Sequence, residues 1–246
     1  MSILFISDLH LDGAWPEISE QFFSFLENEA SKAETLYILG DLFESWVGDD
    51  DDDPHKLRIC QALRALTDAG VTCYVMHGNR DFMLGDQFAS RCGIKILEDP
   101  HVIELGGQKV ALMHGDTLCT DDAEYLAFRG MVRNPRWQEA MMTRSLDERR
   151  NFAAKARDVS RDAMGGKPAE IMDVNRQAVK QAMLKLGVKT LIHGHTHRPA
   201  IHDFELGAGT GRRIVLGDWY EQGSVLRWDG SELKLENLPR AQGPGN

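Results

Sequence analysis

The sequence has no Cys-x-x-Cys pair; its four cysteines, Cys60, Cys73, Cys92 and Cys119, stand far apart. That excludes a thioredoxin-like redox motif and a clustered-thiolate zinc site, and leaves reduced, mostly buried thiols as the expectation. Nor does any apolar run approach the ~20 residues of a membrane span. The apolar opening Met1–Ser7 is interrupted by Asp8 and His10 and follows no basic segment, unlike a secretory leader, so a cytoplasmic protein is expected. Basic charge is in deficit as well. Lys and Arg number 28 against 38 Asp and Glu, a formal charge of −10, which argues against a nonspecific binder of nucleic acid. Internal repeats are missing, and the one low-complexity patch is Asp49–Asp53. It lacks the Asp-x-Asp-x-Asp-Gly alternation of a calcium loop and is expected to be a solvated acidic loop.

What is present suits a folded chain. Apolar residues make up 42% and charged residues 27%, enough for a sizeable core, and 246 residues suit one core with an insertion or two small ones. Short apolar runs at Ile3–Ser7, Leu36–Leu39, Cys73–His77 and Val110–His114 carry β-branched or aromatic residues, and each is followed by Gly, Asp or Asn. This is the pattern of buried strands. Helical spacing falls between the first three, at Phe22, Phe23, Leu26 and Ala30 and at Leu57, Cys60, Leu63 and Leu66; Pro16 marks a helix start and Gly70 a helix end. The alternation predicts βαβ crossovers and an α/β core over residues 1–120.

Residues 121–187 change character. They show two helical patterns, Ser145–Met164 and Ala169–Leu186, separated by Gly165-Gly166, and residues 129–167 hold 10 Lys+Arg against 5 Asp+Glu. This basic segment, with Met131, Met141, Met142, Met164, Trp137 and Phe152, is expected to be a helical cap inserted into the core. Strands resume at Thr190–His193, Arg213–Leu216, Ser224–Trp228 and Glu232–Glu236, with Asp229-Gly230 as the turn of the last pair. They suggest a second, largely antiparallel sheet over 188–240, followed by a flexible tail at 241–246.

Each core strand is followed by polar groups with metal-ligand chemistry: Asp8 and His10; Gly40-Asp41; Gly78-Asn79-Arg80-Asp81; His114-Gly115-Asp116; Gly194-His195-Thr196-His197. In an α/β sheet the carboxyl ends of the strands open onto one crevice, so these loops are predicted to converge. Taken singly, an Asp after a strand is usually a cap or turn former, and a His a hydrogen-bonded core residue. Five such loops in this order form a joint signal, and the adjacent glycines mark backbone that turns sharply or packs closely. Carboxylate, imidazole and amide oxygen without thiolate favour Mn²⁺ or a similar borderline ion.

Together, Asp8-Leu9-His10, Gly40-Asp41, Gly78-Asn79, His114 and Gly194-His195-Thr196-His197 resemble the calcineurin-like metallophosphoesterase superfamily. The longer strings Tyr37–Glu44, His77–Phe82, Met113–Asp122, Met172–Asn175 and His193–Pro199 narrow the resemblance to its acylated UDP-sugar pyrophosphatases, from Ile3 to about Ser224. The resemblance implies an αββα sandwich of two mixed sheets flanked by helices, with an inserted helical cap. It implies two Mn²⁺ ions and hydrolysis of the pyrophosphate bond of UDP-2,3-diacylglucosamine to UMP and 2,3-diacylglucosamine 1-phosphate (lipid X), a step of lipid A biosynthesis. Asp8, His10 and His197 are expected on one ion, Asn79, His114 and His195 on the other, and Asp41 as the bridge. Catalytic roles fall on Asp41, Asn79, Arg80, His114 and His195, and substrate contacts on Asn79, Arg80, Asp122, Ser160, Lys167 and His195.

Arg80 stands where most superfamily members carry a His that can protonate an alkoxide. Arg cannot be a general acid near neutrality, since its pKa exceeds ~12, but it pairs with phosphate oxygens through two parallel hydrogen bonds. A phosphomonoester leaving group, with a second pKa of about 6, departs without a proton, so Arg80 fits anhydride hydrolysis. Asp81 and Asp116 are expected to accept hydrogen bonds from ligand imidazoles. His77 and His193 are expected to face the interior, and His55, His101 and His202 to lie on the surface or in loops. Asp218-Trp219 has no assigned role. Met164 stands where several relatives carry a polar residue. The cap methionines with Phe128, Trp137 and Phe152 either line a groove for acyl chains or pack the cap helices together, and the sequence leaves both open.

An acylated substrate resides in a membrane, so peripheral contact with the cytoplasmic face of the inner membrane through the basic cap is expected, without a nucleic-acid or obligate protein partner. Two other readings stand beside this one. Another dimetal enzyme of the superfamily would act on a phosphodiester or a soluble nucleoside diphosphate derivative, with a cap lacking an acyl groove. A scaffold would keep the fold without the metals, against which the intact ligand positions speak.

Overall fold

The computed structural model describes residues 2–164 and 173–239, the side chains of 161–164 excepted. Lys167, the Gly165-Gly166 break and the tail 241–246 lie outside the described residues. In chain order the elements are β1 (Ile3–Ile6), α1 (Pro16–Asn28), β2 (Thr35–Ile38), α2 (Pro54–Asp68), β3 (Thr72–Met76), α3 (Asp86–Cys92), β4 (Lys95–Leu97), β5 (His101–Leu105) and β6 (Gln108–Met113). Then follow α4 (Ala123–Val132), α5 (Pro135–Met142), α6 (Leu146–Met164), α7 (Arg176–Leu186), β7 (Thr190–His193), β8 (Ala200–Leu206), β9 (Gly209–Val215), β10 (Gly223–Trp228) and β11 (Leu233–Leu238).

Two mixed sheets face each other across a shared core. The first runs β11-β10-β1-β2-β3-β4, and the second β5-β6-β7-β9-β8. Because side chains alternate along a strand, β1 buries Phe5 between the sheets and Leu4 and Ile6 under α1 and α2. Phe5, Leu39 and Met76 of the first sheet meet Leu112, Ile192 and Ile214 of the second. Helices α1, α2 and α3 cover the outer face of the first sheet through Phe22, Phe25, Ile59, Leu63 and Phe88. Helix α7 covers the outer face of the second, where Val179 and Met183 pack with Ala111, Met113 and Leu191. The arrangement is the expected αββα sandwich.

The second sheet is not largely antiparallel. Strands β6, β7 and β9 are parallel and only the flanking β5 and β8 run against them. The helix α7 between β6 and β7 makes that connection a crossover, which returns the chain in the same direction. The Asp229-Gly230 hairpin forms, but it extends the first sheet: β10 pairs antiparallel with β1 and with β11.

Asp49–Asp53 is a solvated loop only in part: Asp50 and Asp52 are exposed, but the loop is tied down on its other side. Asp51 is buried and bonds Lys56 Nζ at 2.7 Å and the Arg150 guanidinium. Asp49 accepts from the backbone N–H of Gly85 (3.0 Å) and Phe88 (2.9 Å) and from the Trp46 indole (3.0 Å), while Asp53 caps α2 through the N–H of His55 (2.8 Å). Asp50 receives Arg149, whose guanidinium also donates to the Val47 carbonyl at 2.6 Å. The acidic loop thus clamps α6 of the basic segment onto the core. Arg129 on Asp116, Arg133 on the Gly78 carbonyl and Arg157 near Asp12 do the same elsewhere. A good part of the cap's positive charge therefore points inward.

Candidate metal centre

Five non-glycine residues have positive φ among the described residues: Asp8 (56°), His10 (51°), Asp41 (51°), His195 (69°) and His197 (55°). All five are expected ligands. Such backbone costs on the order of 1–3 kcal/mol per residue and persists only where the surroundings dictate it. Here the dictating contacts run between loops. The N–H of Asp8 donates to the Gly40 carbonyl (3.1 Å), that of His10 to Asp41 (3.0 Å) and that of Gly194 to His114 (2.9 Å). Asp81 accepts from the N–H groups of Gly78 (2.8 Å), Asp41 (3.3 Å), Leu42 (2.8 Å) and Phe43 (3.3 Å). Its carboxylate thus ties two loops together through backbone and does not orient an imidazole as expected. Gly78 and Gly194 are needed for close approach: a Cβ on the first would overlap the Asp41 carboxylate, and on the second Ser7 and Asp8.

The loops bring all seven expected ligands together. His10 Nε2 and His197 Nε2 lie 3.2 Å apart, and His197 Nε2 lies 3.4 Å from Asp8 Oδ1. On the other side Asn79 Oδ1 lies 2.9 Å from His114 Nε2 and 2.8 Å from His195 Nδ1. Asp41 Oδ2 sits between the two groups, 3.7 Å from His10 Nε2 and 3.9 Å from His114 Nε2, while its Oδ1 accepts from the Arg80 N–H at 2.8 Å.

These donors fit a divalent ion. His10 Nδ1 lies 2.9 Å from Glu44 Oε2, close but not aligned as a hydrogen bond, and His197 Nδ1 lies 3.4 Å from Asp218 Oδ2, so a carboxylate stands behind each ring and favours the tautomer with its proton on Nδ1. In that tautomer each neutral ring presents its Nε2 lone pair toward the other. Asp8 Oδ1 is buried beside them with no hydrogen-bond partner, its Oδ2 accepting from the His195 N–H at 2.8 Å. His114 Nδ1 faces the Leu39 carbonyl at 2.9 Å, which leaves its Nε2 for the centre. Acceptors crowded in this way require positive charge among them, and the chain is a divalent-metal binder in chemistry as in composition.

Electrostatics express the same demand. Burial works against a charge on His114, yet Asp41, Asp116 and Asp8 push its pKa up to about 9. His197 is also raised, its burial outweighed by Asp8 and Asp218. Burial and the neighbouring His114 press His195 down to about 3. Asp8 resists the effect of burial and is held well below the usual carboxylate range by His197, His114 and His10. Asp116 does not bond an imidazole: it accepts from the Tyr125 hydroxyl (2.7 Å) and Arg129 Nε (2.6 Å).

A cavity of about 510 Å³ opens beside the centre. Asn79, Arg80, Asp122 and Ser160 line it, joined by Trp46, Phe82, Phe128, Trp137, Met141 and Phe152. Arg80 Nε is buried there without a hydrogen-bond partner. Asp122 also caps α4 through the N–H of Tyr125 at 3.1 Å. Lys167 and the Met164 side chain fall outside the description. His193 is buried with Nδ1 2.8 Å from the Gly194 carbonyl oxygen, and His77 Nε2 lies 2.7 Å from that of Leu84. Sequence reasoning missed Glu44, which sat at the end of a recognised string, and gave Asp218 no role. Trp219 explains the latter: its indole is buried edge-on to Phe22 and Phe25, and its backbone N–H donates to the Asp8 carbonyl at 3.3 Å, which sets Asp218 against His197.

Comparison with known proteins agrees with this geometry. The family described as calcineurin-like phosphoesterase matches residues 1–199. A UDP-2,3-diacylglucosamine hydrolase of Stenotrophomonas maltophilia (strain R551-3) is 49% identical over 247 aligned positions, covering 98% of this chain and 100% of that protein. One from Escherichia coli O81 (strain ED1a) is 48% identical, covering 97% and 100%. Among solved structures, vacuolar protein sorting 29 from Cryptosporidium parvum shares the fold at 14% identity, with a TM-score of 0.50 over 97% of each chain.

Proposed function

The chain belongs to the calcineurin-like phosphoesterase family, and from that premise we propose that it hydrolyses the pyrophosphate bond of UDP-2,3-diacylglucosamine to UMP and 2,3-diacylglucosamine 1-phosphate. The observation that carries this is the junction of two unlike regions. A strongly anionic, imidazole-rich cluster meets a cavity walled by Trp46, Phe82, Trp137, Met141 and Phe152, and Asn79 and Arg80 belong to both. A diphosphate at the cluster with acyl chains in the cavity satisfies both at once. Near-half identity to hydrolases of that name over the whole chain supports the same substrate.

Asp8, His10 and His197 would hold one Mn²⁺, Asn79, His114 and His195 the second, and Asp41 both. Two such ions supply Lewis acidity toward the phosphate oxygens and acidify a water toward a pKa of ~7. The protein's own groups do the rest. Arg80 is anchored through its backbone N–H to Asp41 Oδ1, so its guanidinium starts beside the bridging carboxylate and reaches into the cavity to pair with phosphate oxygens. It holds charge without donating a proton, which suits a leaving phosphomonoester. Asp122 and Ser160, which line the same cavity, would contact the sugar. Trp46, Phe82, Trp137 and Phe152 exclude water from the acyl chains, which supports the groove reading of the cap; Met141 and Phe152 serve both groove and packing.

The acyl chains also bring the protein to a membrane. Among the described residues no helix is long and apolar enough to cross one. Phe128 and Val159 line the cavity yet are exposed, with Met131 nearby on α4, so the rim of the cap offers apolar side chains for peripheral contact with the cytoplasmic face of the inner membrane. Co-sedimentation with anionic vesicles should fall when Phe128 and Val159 are changed to Ser.

Incubation of the protein with UDP-2,3-diacylglucosamine and Mn²⁺ should release UMP, and chelation should stop it. Absence of UMP from metal-loaded protein would overturn the assignment. Equal turnover of an unacylated UDP-sugar would favour a soluble nucleoside diphosphate derivative as substrate.

A further inference from the structure

The imidazoles of the candidate centre are held unequally. On the Asp8 side both histidines have a carboxylate behind them, Glu44 Oε2 at 2.9 Å from His10 Nδ1 and Asp218 Oδ2 at 3.4 Å from His197 Nδ1. On the Asn79 side His114 Nδ1 meets a neutral carbonyl, that of Leu39. The other carboxylates flanking that side are engaged elsewhere, Asp116 by Arg129 and Tyr125 and Asp99 Oδ2 by the backbone N–H of His114 at 3.2 Å. The ligands themselves differ in the same sense: Asp8 and Asp41 contribute charge to the first side, whereas the second shares Asp41 and otherwise offers the neutral amide of Asn79.

The backbone that carries each backing carboxylate is tied into the fold. The N–H of Glu44 donates to the Leu11 carbonyl (3.2 Å), in the stretch where Leu11 pairs with Phe43. Asp218 is fixed by Trp219, and its Oδ1 accepts the N–H of Tyr220 at 3.1 Å. The Tyr220 ring in turn stacks on His10, with centroids 5.3 Å apart and planes 10° apart, and leans on His197 at 5.8 Å. Both rings of the Asp8 side are thus held in orientation, with a carboxylate behind each, before any ion arrives.

A carboxylate behind an imidazole raises its basicity and fixes its lone pair, and loss of such a partner typically lowers metal affinity 10–100-fold. Given the two-ion centre proposed above, we infer that Glu44 and Asp218 are positioning residues that make the Asp8–His10–His197 side the tighter metal site. It fills first, the Asn79–His114–His195 side fills second, and activity follows the weaker constant.

Calorimetric titration of the metal-free full chain with Mn²⁺, with metal-bound spin followed in parallel, tests this. Two binding events of different affinity are expected. Glu44→Ala should weaken the tighter event by about 10–100-fold and leave the weaker unchanged. Glu44→Gln, which keeps an acceptor behind Nδ1 but carries no charge, should restore part of the loss. Asn79→Ala should abolish the weaker event alone. Equal weakening of both events by Glu44→Ala, no effect of Glu44→Ala and Glu44→Gln in folded protein, or loss of the tighter event in Asn79→Ala would each overturn the inference. Failure of the unsubstituted chain to bind Mn²⁺ would instead overturn the centre, and the inference with it.

Discussion

Stripping the metal should make stability fall with rising pH across a window in which the loaded protein shows no such loss. In the metal-free protein the crowded acceptors are relieved by a proton on His114, whose pKa is pushed up to about 9 by Asp41, Asp116 and Asp8 against the effect of burial. A group with a raised folded pKa contributes stability that is fully present below its unfolded value and lost as pH rises through the folded one. For His114 the loss begins near the ordinary 6.5 and is complete past about 9. Between pH 6.5 and 8.5 it amounts to roughly 2–3 kcal/mol, and His197, also raised, adds in the same direction. Four other buried groups act outside this window. His193 and His195, pressed down to about 4 and about 3, cost stability only as pH falls below 6.5, and the Cys73 and Cys119 thiols, pushed up to about 12, do so as pH nears and exceeds the ordinary thiol value of 9.0. At ~2–4 °C per kcal/mol for a chain of this length, the metal-free Tm should drop by roughly 4–12 °C from pH 6.5 to 8.5. Scanning calorimetry of chelator-treated protein measures it. With saturating Mn²⁺ the ion replaces the proton, and Tm should hold level or rise over the same range. A metal-free Tm that does not fall between pH 6.5 and 8.5 would refute the reasoning.

Further outcomes follow from single contacts. Gly78→Ala would push a Cβ into the Asp41 carboxylate, so metal content by mass spectrometry should fall while far-UV dichroism is kept. Arg80→Ala should leave metal content intact and lower turnover by about 10–100-fold, the worth of one to two charged hydrogen bonds; Arg80→Lys, lacking the fork, should recover only part of it. Asp51→Ala strands the buried Lys56 ammonium and leaves Arg150 with Asp52 alone, and should cost about 3–5 kcal/mol in urea unfolding.

The core and the site were legible in the sequence to different depths, for physical reasons. Strands β1, β2, β3, β6 and β7 announce themselves because each contains a largely buried apolar run, such as Val110–Met113 in β6. Strands β4 and β8 lie at sheet edges, as does β5 with its alternating exposure; short or half-polar edge strands leave a weak pattern. Pairing partners were less accessible still, since nothing local tells Ser224–Trp228 to join β1 and not β9. The ligands could be named because each follows a strand, and all but Asp8 and His10 share their motif with a glycine. Their positive φ could not, because strain is set by contacts from another loop, as when Asp81 binds the N–H groups of residues 41–43. The Asp49–Asp53 loop misled for a related reason: composition reads as solvated charge, and only the fold reveals Lys56, Arg149 and Arg150 opposite it.

The account turns on two ions meeting at Asp41. Crystals of the protein soaked in Mn²⁺ and measured at the manganese absorption edge would locate them directly. Two anomalous peaks about 3.5–4 Å apart are predicted, one among Asp8, His10 and His197, the other among Asn79, His114 and His195, with an Asp41 oxygen between them. A lone peak away from Asp41, or none in this cluster, would contradict it.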